Sequence, residues 1–185
     1  MAQCPQCAES PLVHALLAEG LAGYSCGKCL GTLVSLVSYR AWRERAGAHA
    51  LPVAAPAIAD LAAADSVGAK KCPKCRSVMS KYRISADRAN RLDYCPHCEE
   101  IWLDDGEWQL VESLVMSGEF SKVFTQAWQY AVRADIKGAM EEHRLRELLG
   151  GDFARFVEFA RWLAAQPARQ EILAQLAHFR SDRPA

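Results

Sequence analysis

The sequence predicts an α+β chain: two small four-cysteine ribbons, each a short β-hairpin unit, followed by an all-α helical C-terminal region. Three observations predict it. All eight cysteines of the 185 residues fall in four C-x2-C pairs, with none left over. The pairs form two sets of nearly equal internal spacing. Beyond the last pair, apolar residues recur at helical intervals. Composition is that of a globular chain, at 51% hydrophobic and 24% charged residues. No stretch reaches the ~20 apolar residues of a membrane span. The opening MAQCPQCAES has neither the charged start nor the apolar core of a secretion signal. A cytoplasmic protein without membrane contact is expected.

The cysteines decide the first elements. Cys4/Cys7 and Cys26/Cys29 are separated by 18 residues (8–25), and Cys72/Cys75 and Cys95/Cys98 by 19 (76–94). Both gaps suit a four-cysteine zinc site. A disulfide framework would need an oxidising compartment. A redox C-x-x-C would normally occur once, beside a βαβ pattern. All eight cysteines are therefore expected as ligands of two metal ions. Two intervening residues let one tight turn aim both sulfurs at a single ion, and two such turns complete a tetrahedron. Pro5, Pro73 and Pro96 pre-set φ for three of these knuckles, while CGKC (26–29) carries Gly27 instead. Four thiolates suit Zn²⁺ at a Zn–S distance of ~2.3 Å and leave no open position. Iron in a rubredoxin-like site would use similar geometry, and zinc is the expected ion. Each ribbon of about 35 residues lies below the ~40 at which a hydrophobic core usually suffices. Zinc supplies ~10–16 kcal/mol of folding free energy to such units, so both ions are expected to be structural.

The two ribbons also read as an internal repeat. Cys4 maps to Cys72 and Cys26 to Cys95, at offsets of 68 and 69. LGTLVS (30–35) then lies over EEIWLD (99–104), so Leu33-Val34 takes the place of Trp102-Leu103.

The remaining elements follow in order. The first ribbon is expected over 1–46, with SYRAWRERAG (38–47) as a short trailing helix begun by Ser38. Residues 47–70, Ala-rich with two prolines, read as a partly helical linker that lets the ribbons move independently unless it docks. The second ribbon with a docked helix is expected over 71–117. Ile101-Trp102-Leu103 reads as a strand. Asp104 or Asp105 is the expected N-cap, with Glu107 placed as in a capping box. Val111, Leu114 and Val115 share a helical face, and Ser117-Gly118 breaks the helix. Over 118–185 a helical hairpin or bundle is expected. Phe120, Val123, Phe124, Ala127, Trp128 and Ala131 fit one amphipathic helix running on to Leu149, stopped by Gly150-Gly151. Asp152 is the expected cap of the next helix, with Phe153, Phe156, Val157, Ala160 and Leu163 inward. After a turn at Pro167, Ile172, Leu173, Leu176 and Phe179 mark the last helix.

CPKCRSVMSKYRISADRANRLDYCPHCEEIWLDDGEWQLV (72–111) resembles the transcription-factor-IIB-type zinc-ribbon family of small, mostly bacterial proteins. The shared features are CPxC, a downstream Met79, Asp93 before the second pair, CxxC, and I-W-L-D-x-G-E. The resemblance implies zinc on Cys72, Cys75, Cys95 and Cys98. The family usually has Gly two residues after its last cysteine; Glu100 stands there in this sequence, whereas the first ribbon keeps Gly31. The first ribbon is a weaker relative without the tryptophan and the acidic tail. The family name implies no transcriptional role.

Catalysis lacks a candidate. No H-E-x-x-H, G-x-G-x-x-G, P-loop or G-x-S-x-G pattern is present. His97 lies between two ligands of an already complete set, and Asp104, Asp105 and Glu107 read as helix-capping residues rather than a second metal site. The expected function is that of a zinc-binding, non-enzymatic regulatory or adaptor protein, with a protein partner met by ribbons and amphipathic helices. Self-association into a homo-oligomer is another use of the aromatic helices. The alternative function is nucleic-acid binding, by contact of phosphate with Lys70, Lys71, Lys74, Arg76, Lys81, Arg83, Arg88 and Arg91. Residues 93–119 carry eight acids and no Lys or Arg, so the basic run could equally neutralise its neighbour. Two Zn²⁺ contribute +4 and eight thiolates −8, taking the formal charge from 0 to −4, which disfavours general nucleic-acid affinity.

Overall fold

The computed structural model describes residues 2–46 and 65–179, which form two compact units, Met1–Ile136 and Lys137–Ala185. Most of the linker expected over 47–70 lies outside the described residues. In the first unit, three strands follow the first knuckle: β1 (Leu12–Ala18), β2 (Leu21–Cys26) and β3 (Thr32–Ser35). Three more belong to the second ribbon: β4 (Ser80–Arg83), β5 (Arg91–Cys95) and β6 (Glu100–Leu103). All six join one sheet in the order β1-β2-β3-β6-β5-β4, antiparallel throughout. Ribbons expected as separate domains at 1–46 and 71–117 thus share a sheet.

The seam between them is β3 against β6, with Thr32 opposite Leu103, Leu33 opposite Trp102, Val34 opposite Ile101 and Ser35 opposite Glu100. Leu33 and Trp102, equivalent at the sequence offset of 69, face each other directly. The two halves are therefore arranged about that pair as the faces of an isologous dimer would be.

Strand alternation divides the core into two layers. Leu33 and Trp102 point to one face and pack with Leu12, Met79 and buried cysteines of both sets. Val34, Ile101 and Leu103 point to the other, where they meet Leu21, Leu92 and the helices. β6 is buried at every position because both faces are covered and it lies inside the sheet.

Helix α1 spans Leu36–Ala46 and begins two residues before the expected Ser38. Ser35 Oγ accepts the Ser38 N–H at 3.4 Å, so Ser35 is the capping side chain. Tyr39 and Trp42 bury against the sheet, and the Trp42 indole N–H reaches Glu19 O at 2.8 Å. Helix α2 (Glu107–Ser117) starts from Gly106 at φ 80°, without a side-chain cap, and ends at Gly118 as expected. The single helix expected from Phe120 is instead a 3-10 turn, Phe120–Phe124, followed by α3 (Gln126–Leu149). Thr125 makes the break: its hydroxyl donates to Lys122 O at 2.7 Å and accepts the Trp128 N–H at 3.3 Å. The kink brings Phe120 edge-on to Tyr39, centroids 4.9 Å apart, and stacks Phe124 on Tyr94 at 4.7 Å. The boundary between the units falls within α3, so 118–136 belong with the ribbons rather than with the helical tail.

The second unit contains the remainder of α3, a 3-10 turn at Gly150–Asp152, α4 (Phe153–Ala164) and α5 (Arg169–His178). Asp152, the expected cap, makes no capping hydrogen bond and lies 3.5 Å from Arg155. Of the residues expected inward on α4, Leu163 is buried, Phe153, Val157 and Ala160 are half-buried and Phe156 is exposed. Phe159, Trp162, Leu173, Leu176 and Phe179 are exposed as well. Among the described residues no helix is long and apolar enough to cross a membrane.

Candidate metal centres

Three of the four C-x2-C turns close with the same backbone hydrogen bond. The backbone N–H of the residue after the second cysteine returns to the carbonyl of the first: Ala8 to Cys4, Leu30 to Cys26 and Arg76 to Cys72, each at 2.9 Å. This closure forces a left-handed backbone on the residue that follows the pair. Ala8 (φ 58°), Leu30 (59°), Arg76 (65°) and Glu99 (53°) are the non-glycine residues with positive φ among those described, and each directly follows a knuckle. Such a conformation costs about 1–2 kcal/mol per L-residue. Four strained positions at four equivalent places show what the turns exist to do, which is to converge sulfurs. In the first knuckle the Cys7 N–H also donates to Cys4 Sγ at 3.3 Å.

The convergence is complete. Cys4, Cys7, Cys26 and Cys29 hold their sulfurs within 4.8 Å of one another, and so do Cys72, Cys75, Cys95 and Cys98. A tetrahedral ion with Zn–S of ~2.3 Å places its sulfurs roughly 3.8 Å apart. Cys4 and Cys29 stand at 3.6 Å, as do Cys75 and Cys95. That is far beyond the ~2.05 Å of a disulfide. All eight thiols are free. Both quartets fit a structural zinc ion, whose chemistry here is to hold four thiolates in a closed shell. The first cysteine of every pair is buried and the second half-buried, so each centre sits at the edge of the core. His97 is exposed and belongs to neither quartet.

Leu33 and Trp102 lie in one apolar cluster with cysteines of both centres. The close fit explains the Gly31/Glu100 difference. A Cβ on Gly31 would stand 2.3 Å from Trp102 Cζ2, so the large ring in one ribbon requires no side chain in the other. By the symmetry of the seam, Glu100 stands in the same relation to the smaller Leu33. There a side chain is accommodated, with the buried carboxylate 2.5 Å from Lys74 Nζ.

The acidic stretch after the last knuckle does something other than cap α2. The Asp104 carboxylate accepts the Trp102 indole N–H at 2.8 Å and the Ser66 N–H at 2.8 Å, and lies 3.1 Å from Lys70 Nζ. Lys70 Nζ also contacts Asp93 at 2.8 Å and Ser66 Oγ, and Lys81 reaches Asp93 at 3.0 Å. Burial disfavours the Asp104 charge, but the Ser66 hydrogen bonds, Lys70 and Trp102 together bring its pKa below the ordinary value. Burial likewise opposes the Lys70 charge and is outweighed by Asp93 and Asp104, which raise its pKa.

Only the Glu half of the expected capping box forms: Glu107 accepts the Asp104 N–H at 2.9 Å. Burial, reinforced by the neighbouring Asp104 and Asp65 charges, raises the Glu107 pKa to about 8 against the hydrogen bonds from the Asp104 N–H and Asn90. Asp65, Asp104 and Glu107 bring carboxylate oxygens within 4.8 Å of one another. Lys70 and Ser66 already serve Asp104, and Arg91 lies 3.5 Å from Asp65. Half of the basic run counted in the sequence is thus engaged: Lys70, Lys74 and Lys81 face acids of the second ribbon, and Arg91 faces Asp65 just before it. Sequence reasoning missed this network because Lys70 and Ser66 fell in the expected linker. The available signal was Asp93, a buried-strand position that demands a cation.

No curated protein and no solved structure matches the chain. Residues 71–111, the second quartet with β4, β5, β6 and the start of α2, match the family described as the transcription factor zinc-finger of the TFIIB zinc-ribbon type.

Proposed function

We propose that this zinc-binding protein is a non-enzymatic regulatory or adaptor protein of the cytoplasm, whose exposed aromatic helices meet a protein partner. The observation that carries the reading is the apolar side of α4, where Phe156, Phe159 and Trp162 remain exposed and the last two pack together at 5.6 Å. Aromatic side chains of this kind anchor protein interfaces. The closed quartets support a non-enzymatic role, since four protein ligands leave no position for substrate or water. Eight free thiols suit a reducing compartment. Nucleic-acid binding has less support, because ion pairs with Asp65, Asp93 and Glu100 engage four of the eight cations the alternative would use.

The test is affinity capture from the native cell with the full chain and with a Phe156→Glu/Trp162→Glu variant, each with and without nuclease. A protein that survives nuclease and is lost in the variant is the expected result. Loss of every partner on nuclease treatment would contradict it. Sedimentation of the purified chain separates a second copy from a different protein as the occupant of the helices.

A further inference from the structure

We propose that the open edge of β4 is a docking site for a short extended peptide of another protein, with an acidic side chain meeting Arg133. The proposal rests on the reading above only in taking the partner to be a protein; it places the contact on a different surface.

β4 is an outer strand of the sheet, with β5 on one side only. Its hydrogen-bonding direction can be read from its neighbours. The Ile84 N–H turns inward to Asn90 O at 3.4 Å, so even-numbered residues face β5. Odd-numbered residues therefore present N–H and C=O outward. At Met79 the outward N–H is met by Lys70 O at 2.9 Å. At Arg83 the N–H donates to Gln129 Oε1 at 3.1 Å and the C=O accepts from Gln129 Nε2 at 2.8 Å. The Gln129 amide thus occupies the place of a neighbouring strand's peptide group. Lys81 lies between these two covered positions, and its N–H and C=O have no outward partner among the described residues.

Beside Lys81 the surface opens into a cleft of about 730 Å³ between β4 and the first turns of α3. Tyr82 lies on one wall and Tyr130 and Arg133 on the other, with no carboxylate in the lining. The Lys81 ammonium is engaged by Asp93 and by Ser66 O, which leaves Arg133 as the cation of the lining without an ion pair among the described residues. Sheet edges are ordinarily blunted or covered because they pair with extended chains. Here the edge is covered on both sides of a single residue and, among the described residues, left open beside two tyrosines. A peptide laid along it gains two main-chain hydrogen bonds at Lys81, apolar contact with Tyr82 and Tyr130, and a carboxylate–guanidinium pair at Arg133. The ligand class follows: extended, acidic, and without proline at the pairing residue.

The experiment uses the zinc-loaded full chain, ¹⁵N-labelled, titrated with the acetylated hexapeptide Val-Glu-Val-Glu-Val-Glu, its lysine counterpart, and a version with proline at the central valine. The acidic peptide should shift the Lys81 amide and slow its exchange, with sub-millimolar affinity. Arg133→Glu, which leaves zinc content unchanged, should weaken that binding by about tenfold and favour the lysine peptide instead. Absence of a Lys81 response at millimolar peptide, equal binding of the proline peptide, insensitivity to Arg133→Glu, or shifts confined to β1 would each overturn the proposal. Because purified peptide is the probe, failure here leaves a capture result that depends on Phe156 and Trp162 standing. A peptide response without such capture overturns the helix-face reading instead.

Discussion

The two ribbons each set two C-x2-C turns beside three antiparallel strands in the same order, yet they differ around the metal. The first meets the seam with Leu33 and Gly31; the second meets it with Trp102 and Glu100. The first is followed directly by α1. The second carries a buried set of charges, Lys70, Asp93 and Asp104, joined to the tryptophan through its indole N–H. The difference teaches that the metal fixes the knuckles, whereas the joining of the ribbons depends on the asymmetry. Two copies of the second ribbon would bring Trp102 of each against a Glu100 side chain of the other, where the present seam has a glycine. The pair works because one side is small.

That comparison can be broken most severely at the charges. Lys70→Ala leaves Asp93 and Asp104 buried without their shared cation, and a loss of about 3–5 kcal/mol is expected in denaturant unfolding of the zinc-loaded chain. A loss below about 1 kcal/mol would show that the network is not what orients Trp102. Gly31→Ala comes next, at about 1–3 kcal/mol, because the new methyl group overlaps the indole. Trp102→Leu should relieve the overlap, so the double variant should be more stable than the sum of the single changes predicts. Strict additivity would argue against the complementary seam.

How far the sequence reveals this arrangement depends on which forces act locally. Cysteine spacing makes the quartets legible, since four C-x2-C pairs in two matched sets suit two four-thiolate metal sites and not a single redox pair. Strand alternation at Leu33, Val34, Trp102 and Leu103 fixes which side of each strand meets metal and which meets helix. The union of the ribbons is absent from local pattern, because β3 pairing with β6 joins residues far apart in the chain. The break at Thr125 was concealed by an unbroken apolar period from Phe120 to Ala131: the hydroxyl competes with the helix for backbone groups, and apolar spacing carries no trace of that. Asp104 departs from its expected role for a related reason: its position suits a cap, but its carboxylate is taken by the buried Trp102 indole and Lys70.

Smaller effects sharpen the comparison. Glu107 belongs to the second ribbon's helix and lacks an acidic counterpart in α1. With its pKa raised from 4.5 to about 8 by burial, the folded chain retains a proton that the unfolded chain releases. Stability from this group is therefore fully present below about pH 4.5 and is lost as pH rises towards 8. Glu107→Gln should remove that slope and gain a few kcal/mol over the parent near pH 8, measured by unfolding across pH. A parallel pH profile for both proteins would contradict the assignment. The smallest effect is expected at Leu30, an exposed left-handed residue after the second knuckle. Leu30→Gly should stabilise by up to about 1 kcal/mol through relief of backbone strain, offset in part by glycine's added freedom in the unfolded chain.

The central claim is that two closed sulfur shells hold one continuous sheet. Zinc quantification combined with X-ray absorption on the purified chain tests it directly. Two ions per chain, each with four sulfurs at ~2.3 Å, is the predicted result. A single ion, or an oxygen or nitrogen neighbour in either shell, would contradict it.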